Sequence, residues 1–192
     1  YRYIYDPADP TPSIGGSQFS LDAGAVDNRR WERRHDVLAF TSAPLTHDLE
    51  IIGEVRLVLY VRSSLAHTDF FGRLCDVAPN GKSTNICDGL FRLRPGTGEC
   101  QPDGTLRIEI DMWATAYHFR RGHRIRLCVA SGAHPRWNRN FGTGEPFTTG
   151  TNLRIAQQAV YCDQTHPSAL RLPVIDETRA EPQRHKVHEE LV

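Results

Sequence analysis

Apolar and polar residues alternate along much of the chain with a period of two. In EVRLVLYV, Glu54 to Val61, the residues Val55, Leu57, Leu59 and Val61 fall on one face. In TLRIEIDMW, Thr105 to Trp113, the apolar set is Leu106, Ile108, Ile110 and Met112, against Arg107, Glu109 and Asp111. In RIRLCV, Ile125, Leu127 and Val129 oppose Arg124 and Arg126. Successive side chains of a strand point to opposite faces, so each run predicts a strand with one buried and one wet face. Further strands are expected at DVLAFTS, TDFFGRLCDV, TNICDGLFRL, NLRIAQQAVY and ALRLPVI. Turn residues separate these runs: PNGK at 79–82, PGTGE at 95–99, PDG at 102–104 and RRGH at 120–123. DNRRWERRH, Asp27 to His35, predicts at most a short helix. Many short strands at this spacing imply an all-β fold, an antiparallel sandwich or barrel.

The head of the chain, DPADPTPSIGG (Asp6 to Gly16), is rich in proline and glycine and reads as an extended strap, since each proline removes a backbone donor. The tail, Glu177 to Val192, is charged and without a periodic apolar face, which predicts loose order. The 192 residues suit one sizeable domain over 1–176, and there are no internal repeats. The first residue is Tyr1, which predicts a processed chain or one that starts inside a longer gene product. Hydrophobic content of 39% with 24% charged residues fits a globular fold. Basic and acidic residues balance at 23 each, so net charge draws the chain neither to nucleic acid nor to an anionic membrane. No apolar run approaches the ~20 residues of a membrane helix, no signal peptide opens the chain, and a cytoplasmic location is expected. The five cysteines lack the paired spacing of a disulfide framework or a zinc cluster, which predicts free thiols. Cys75 and Cys128 lie in strand-like runs and read as small core residues.

The segment SGAHPRWNRN, Ser131 to Asn140, collects a serine, a histidine, two arginines and a tryptophan in ten residues. It reads either as the catalytic corner of a hydrolase or as a structured loop whose arginines and Trp137 bind a neighbour. No G-x-S-x-G elbow occurs; Gly15-Gly16-Ser17-Gln18-Phe19 lacks the last glycine. Ser131 and His134 would need an orienting carboxylate to act together. His118, His123 and His134 offer a histidine metal set, and Asp69, Asp76, Asp88 and Asp111 a calcium set, although neither has compact ligand spacing. Trp31, Trp113, Trp137 and Tyr117 are sugar-stacking candidates, but such aromatics more often serve a core or an interface. RRWERR, Arg29 to Arg34, has no stacking motif for nucleic acid and reads as a solvated or interface segment.

Five ordered blocks then suggest a family: YDPADPTPSIGG, DVLAFTSAPL, residues 55–94, residues 110–146 and HPSALRLPVI. Over roughly residues 1–176 the chain resembles the C-terminal domain of the cocaine esterase / X-Pro dipeptidyl-peptidase (CocE/NonD) serine hydrolases. The resemblance implies a galactose-binding-like jelly-roll sandwich without a catalytic residue, metal or cofactor of its own. It implies N-terminal α/β-hydrolase and cap domains as partners, and an isolated copy that exposes a patch suited to a homodimer. Phe19, Ser20 and Leu21 would form part of the substrate-pocket wall, with Ser20 departing from the aromatic of the related enzyme. His134, Arg136, Arg139 and Asn140 would belong to a structural or interdomain loop. The competing readings are a stand-alone carbohydrate or small-ligand binding module, and an enzyme built on Ser131 or a histidine-bound metal.

Overall fold

The structure, a computed structural model, describes residues 1–19, 21 and 23–175. The tail expected at 177–192 lies outside the described residues. Among the described residues ten strands form: β1 (Arg2–Tyr5), β2 (Leu38–Thr41), β3 (Leu49–Ser63), β4 (Thr68–Val77), β5 (Ser83–Leu93), β6 (Glu99–Cys100), β7 (Leu106–Phe119), β8 (Arg124–Ala130), β9 (Ala156–Tyr161) and β10 (Ala169–Arg171). One sheet has the order β1-β9-β3-β7-β6, with β10 also on β3; the other is β2-β8-β4-β5. Every strand pairing is antiparallel. This is the antiparallel sandwich that the period-two runs predict. The predicted turns fall between strands, where Gly81, Gly96, Gly98, Gly104 and Gly122 all have positive φ. β1 and β6 are additions to the expected strands, and the short helix shrinks to one 3-10 turn, Trp31–Arg33.

The alternating residues meet between the sheets. Leu57, Leu59 and Val61 of β3 and Ile108, Ile110 and Met112 of β7 pack with Phe70 and Leu74 of β4 and Val129 of β8. The layers approach most closely at Gly72 and Gly89, which are register partners on β4 and β5. A Cβ on Gly72 would come within 2.5 Å of Leu57 Cδ2, and one on Gly89 would overlap the Asp111 carbonyl. β7 carries a bulge. Met112 and Trp113 together oppose Val55, between the pairs Glu54–Ala114 and Arg56–Asp111. Trp113 takes a φ of 70° there. The extra residue inverts the phase: Ile108, Ile110 and Met112 point inward before it, Tyr117 and Phe119 after it.

β4 is buried along its whole length, on both faces. Its outer face lies under a third layer, the segment that runs from the proline-rich strap through Trp31 to Val37. Trp31, Val37, Phe71, Cys128, Ala130 and Ala133 form a second core there, with Ile14 packed against it. This layer also encloses charge. Arg73 is 1% exposed and sits directly across from Asp88 on β5. Its Nη2 and Nε donate to Asp88 Oδ2 at 2.9 and 3.2 Å, and Nη1 donates to Asn28 Oδ1 at 2.9 Å. Arg136 donates to the other Asp88 oxygen. Trp31 stacks its ring 5.2 Å from the Arg73 guanidinium carbon and donates its indole N–H to the Pro12 carbonyl. The ion pairs of the Arg29–Arg34 segment are likewise made within the chain, Glu32 to Arg126 and Arg34 to Asp36.

Two outcomes follow for stability. Gly72→Ala overpacks the sheet contact and costs about 1–3 kcal/mol; in a Leu57→Ala background most of that penalty disappears, as a double-mutant cycle of urea melts will show. Asp88→Asn leaves the buried Arg73 without its counter-charge and costs about 3–5 kcal/mol, whereas Ile52→Ala on the open face changes stability by less than about 0.5 kcal/mol.

Candidate functional site

The segment 131–140 leaves the end of β8 and folds back over the sandwich. Ser131 is fully buried; its hydroxyl lies 2.9 Å from Tyr3 Oη and accepts from Gln158 Nε2 at 3.0 Å. It does not meet His134, which is exposed and bridges the strap through its backbone. The His134 N–H donates to the Thr11 carbonyl at 2.9 Å, and the Ser13 N–H donates to the His134 carbonyl at 2.7 Å. The His134–Pro135 peptide is cis. Arg136 lies over the Trp137 ring at 4.1 Å and reaches Asp88. Arg139 donates to the Pro7 carbonyl at 3.0 Å. Asn140 donates to Asp69 Oδ1 at 2.8 Å and accepts from the Gly142 N–H. A serine whose hydroxyl partners are a tyrosine and a glutamine has no base to take its proton.

The candidate histidine and aspartate clusters do not form among the described residues. His118 pairs with Asp48 and His123 with Asp76, each at 2.9 Å, and Tyr117 donates to the same Asp76. Asp69 is held by Arg92, Asp88 by Arg73 and Arg136, and Asp111 by Arg56. Among the described residues these histidines and carboxylates build no three-ligand group. Each of these pairs or triads is an ion-pair or hydrogen-bond arrangement in its own place on the sandwich. Trp31 is buried, and Trp137 packs edge-on against Phe71. Only Trp113 of the four aromatic candidates stays open, at 67% exposure.

The most exposed apolar groups gather near one end of the strap. Gly16 and Gly24 face each other as an antiparallel pair, with N–H to carbonyl distances of 2.6 and 2.9 Å in the two directions. Both glycines have positive φ, which a side chain would strain. The loop they close carries Phe19 and Leu21, both fully exposed. Ser20 lies outside the described residues. Beside the loop is a cleft of about 520 Å³, lined by Ser17, Asp88, Met112, Trp113, Arg136 and Cys87, among others. Burial and the neighbouring Asp88 carboxylate push the Cys87 thiol up to about 12. It is therefore protonated at neutral pH and is a weak nucleophile. The cleft offers apolar contact, one aromatic face and one paired guanidinium, which suits binding rather than bond-making.

Reading the residues alone names Trp113, Asp88 and Arg136 separately but misses how this surface is assembled. Asp88 and Arg136 at the cleft, and Arg73 buried behind Asp88, are brought together from three distant segments. Trp113 was legible in principle: Met112 ends one alternating phase and Tyr117 and Phe119 begin the opposite one, which marks a bulge between them.

Comparison with known proteins gives the family and agrees with the fold. The family described as "X-Pro dipeptidyl-peptidase C-terminal non-catalytic domain" matches residues 2–171. A cocaine esterase of Rhodococcus sp. (strain MB1 Bresler) is 37% identical over 182 residues, covering 90% of this chain and 32% of that protein. An α-amino acid ester hydrolase superposes with a TM-score of 0.79 at 26% identity, over 91% of this chain and 32% of the other. An aminopeptidase from a marine-sediment Thaumarchaeota archaeon gives the same TM-score at 24% identity, over 92% and 33%, and so shares the fold. The chain spans about a third of the length of each of these proteins. With the family model matched over residues 2–171, the chain belongs to the X-Pro dipeptidyl-peptidase C-terminal non-catalytic domain family.

Proposed function

We propose that this domain serves a CocE/NonD-type serine hydrolase, in which an N-terminal α/β-hydrolase domain with its cap carries out ester or amide hydrolysis through an acyl-enzyme. Phe19 and Leu21 form a wall of that enzyme's substrate pocket, and Ser20 between them belongs to the same wall. The observation that carries this reading is the pair of fully exposed apolar side chains on a loop fixed by Gly16 and Gly24. Leaving a phenylalanine and a leucine in water forgoes about 1.5–3 kcal/mol each, and among the described residues no neighbour covers them. Trp113 and the cleft beside it extend the apolar surface toward the partner. A free copy of the domain exposes this face and self-associates through it as a homodimer. His134, Arg136, Arg139 and Asn140 act behind this face. They lock the strap and the loop to the sandwich, and a forked guanidinium such as Arg136 suits that task. The protein is cytoplasmic in this reading, which its five free thiols support.

Two measurements check the proposal. In the full-length enzyme, Phe19→Ala raises KM for an aromatic ester by about tenfold, within the range one apolar contact supplies, and leaves Tm almost unchanged because the ring is exposed. An unchanged kcat/KM removes Phe19 from the pocket. The 192-residue chain alone turns over p-nitrophenyl acetate at the buffer rate. Turnover that survives purification and disappears in Ser131→Ala would move the chemistry into this domain.

A further inference from the structure

Beneath the 3-10 turn, at the edge of the second core to which Cys128 belongs, two thiols and a carboxylate come together. Cys75 on β4 and Cys128 on β8 point out of the sandwich core, toward the covering layer, and are diagonal neighbours: Cys75 opposes Arg126, and Cys128 opposes Arg73. Both thiols are fully buried. The Trp31–Arg33 turn carries Glu32 over them, with its carboxylate 5% exposed. One ligand atom from each of Glu32, Cys75 and Cys128 lies within 4.8 Å of the other two, and Cys128 Sγ is 3.8 Å from Glu32 Oε1.

We infer that Glu32, Cys75 and Cys128 bind a thiophilic divalent cation of the zinc and cadmium class. Around a tetrahedral ion, with metal–sulfur bonds of about 2.3 Å and metal–oxygen bonds of about 2.0–2.2 Å, adjacent ligands stand roughly 3.4–3.8 Å apart. The Cys128–Glu32 separation already matches such an edge. Two thiolates and one carboxylate select a soft d10 ion over calcium or magnesium. On binding, each thiol releases its proton to solvent and forms one metal–sulfur bond, and no electron is transferred. Two thiolates, one carboxylate and a dication leave one net negative charge. Arg126 neutralises it, since its Nη1 lies 2.5 Å from Glu32 Oε2. Ser83, whose hydroxyl donates to Glu32 Oε1, or a water takes the fourth position. The ion would staple the covering layer to β4 and β8.

The test starts from the chain with the exposed thiols removed by Cys100→Ser and Cys162→Ser, kept reduced by a phosphine. Titration with cadmium is expected to reach one equivalent per chain, with the ultraviolet thiolate-to-cadmium absorption. Saturating metal should raise Tm by roughly 5–10 °C. Cys128→Ser and Cys75→Ser should each remove most of the absorption. Glu32→Gln keeps the shape of the side chain and should weaken cadmium at least about tenfold. It serves as the deciding variant if either serine substitution fails to fold. No absorption in the parent chain, or equal absorption and stoichiometry in the Cys128→Ser and Glu32→Gln variants, overturns the site. So does a chain that binds no cadmium but closes a Cys75–Cys128 disulfide with a thiol oxidant.

Discussion

The buried guanidinium of Arg73 organises the covered side of this sandwich. It stands on the outer face of a central strand, where a cation out of water is costly unless every donor is met. The chain meets them from three directions at once: Asp88 from the neighbouring strand, Asn28 from the covering layer and the faces of Trp31 and Phe71. Because Asp88 also accepts from Arg136, the same carboxylate ties the loop after β8 to the sheet. Sheet, covering layer and loop therefore share one electrostatic centre, and moving any one of them leaves a polar or charged partner unmatched in a low-dielectric place.

This arrangement explains how a proline-rich segment with no regular structure can be held firmly. Its own backbone offers few hydrogen bonds. It is fixed instead by the Thr11–His134 and Ser13–His134 main-chain contacts, by the Trp31 indole on Pro12, and by the Thr11 hydroxyl on Asp36. The loop closed by Gly16 and Gly24 extends from this rigid base. Its apolar side chains are thus presented from a fixed platform, so they can meet a partner surface with little further loss of conformational entropy.

What was legible in the sequence divides along physical lines. Strands with one wet face, β3 and the first half of β7, show their alternation openly, as does β8 through its outward arginines, and the glycine turns between them declare themselves by composition. β4 does not alternate, because Phe70 feeds the inner core and Phe71 the outer one; its run is readable as a strand but not as a two-sided one. β1 is four residues long and takes its pairing from β9, more than 150 residues away, so no local pattern reveals it. Among site residues, the motif SGAHPRWNRN was visible as chemistry-rich, but only tertiary placement separates Ser131, sealed beneath Tyr3, from a nucleophile. Phe19 and Leu21 came from the family resemblance; their local sequence contains nothing that distinguishes an exposed phenylalanine from a core one. The Glu32, Cys75 and Cys128 group was invisible, because its members are separated by about forty and fifty residues and join only across a layer.

The bulge at Trp113 has a bearing on how such a domain changes over generations. β7 is in effect two half-strands of opposite parity spliced at one residue, and each half has its own set of inward positions. Point substitutions leave the splice intact. Insertion or deletion of a single residue within Leu106–Met112 would slide one parity against the other and turn the charged face of that half toward the core. The hairpin ends at 95–104 and 120–123 have no such bookkeeping. Length variation among descendants of this chain should therefore accumulate at those ends, while the strand between them drifts in composition at constant length.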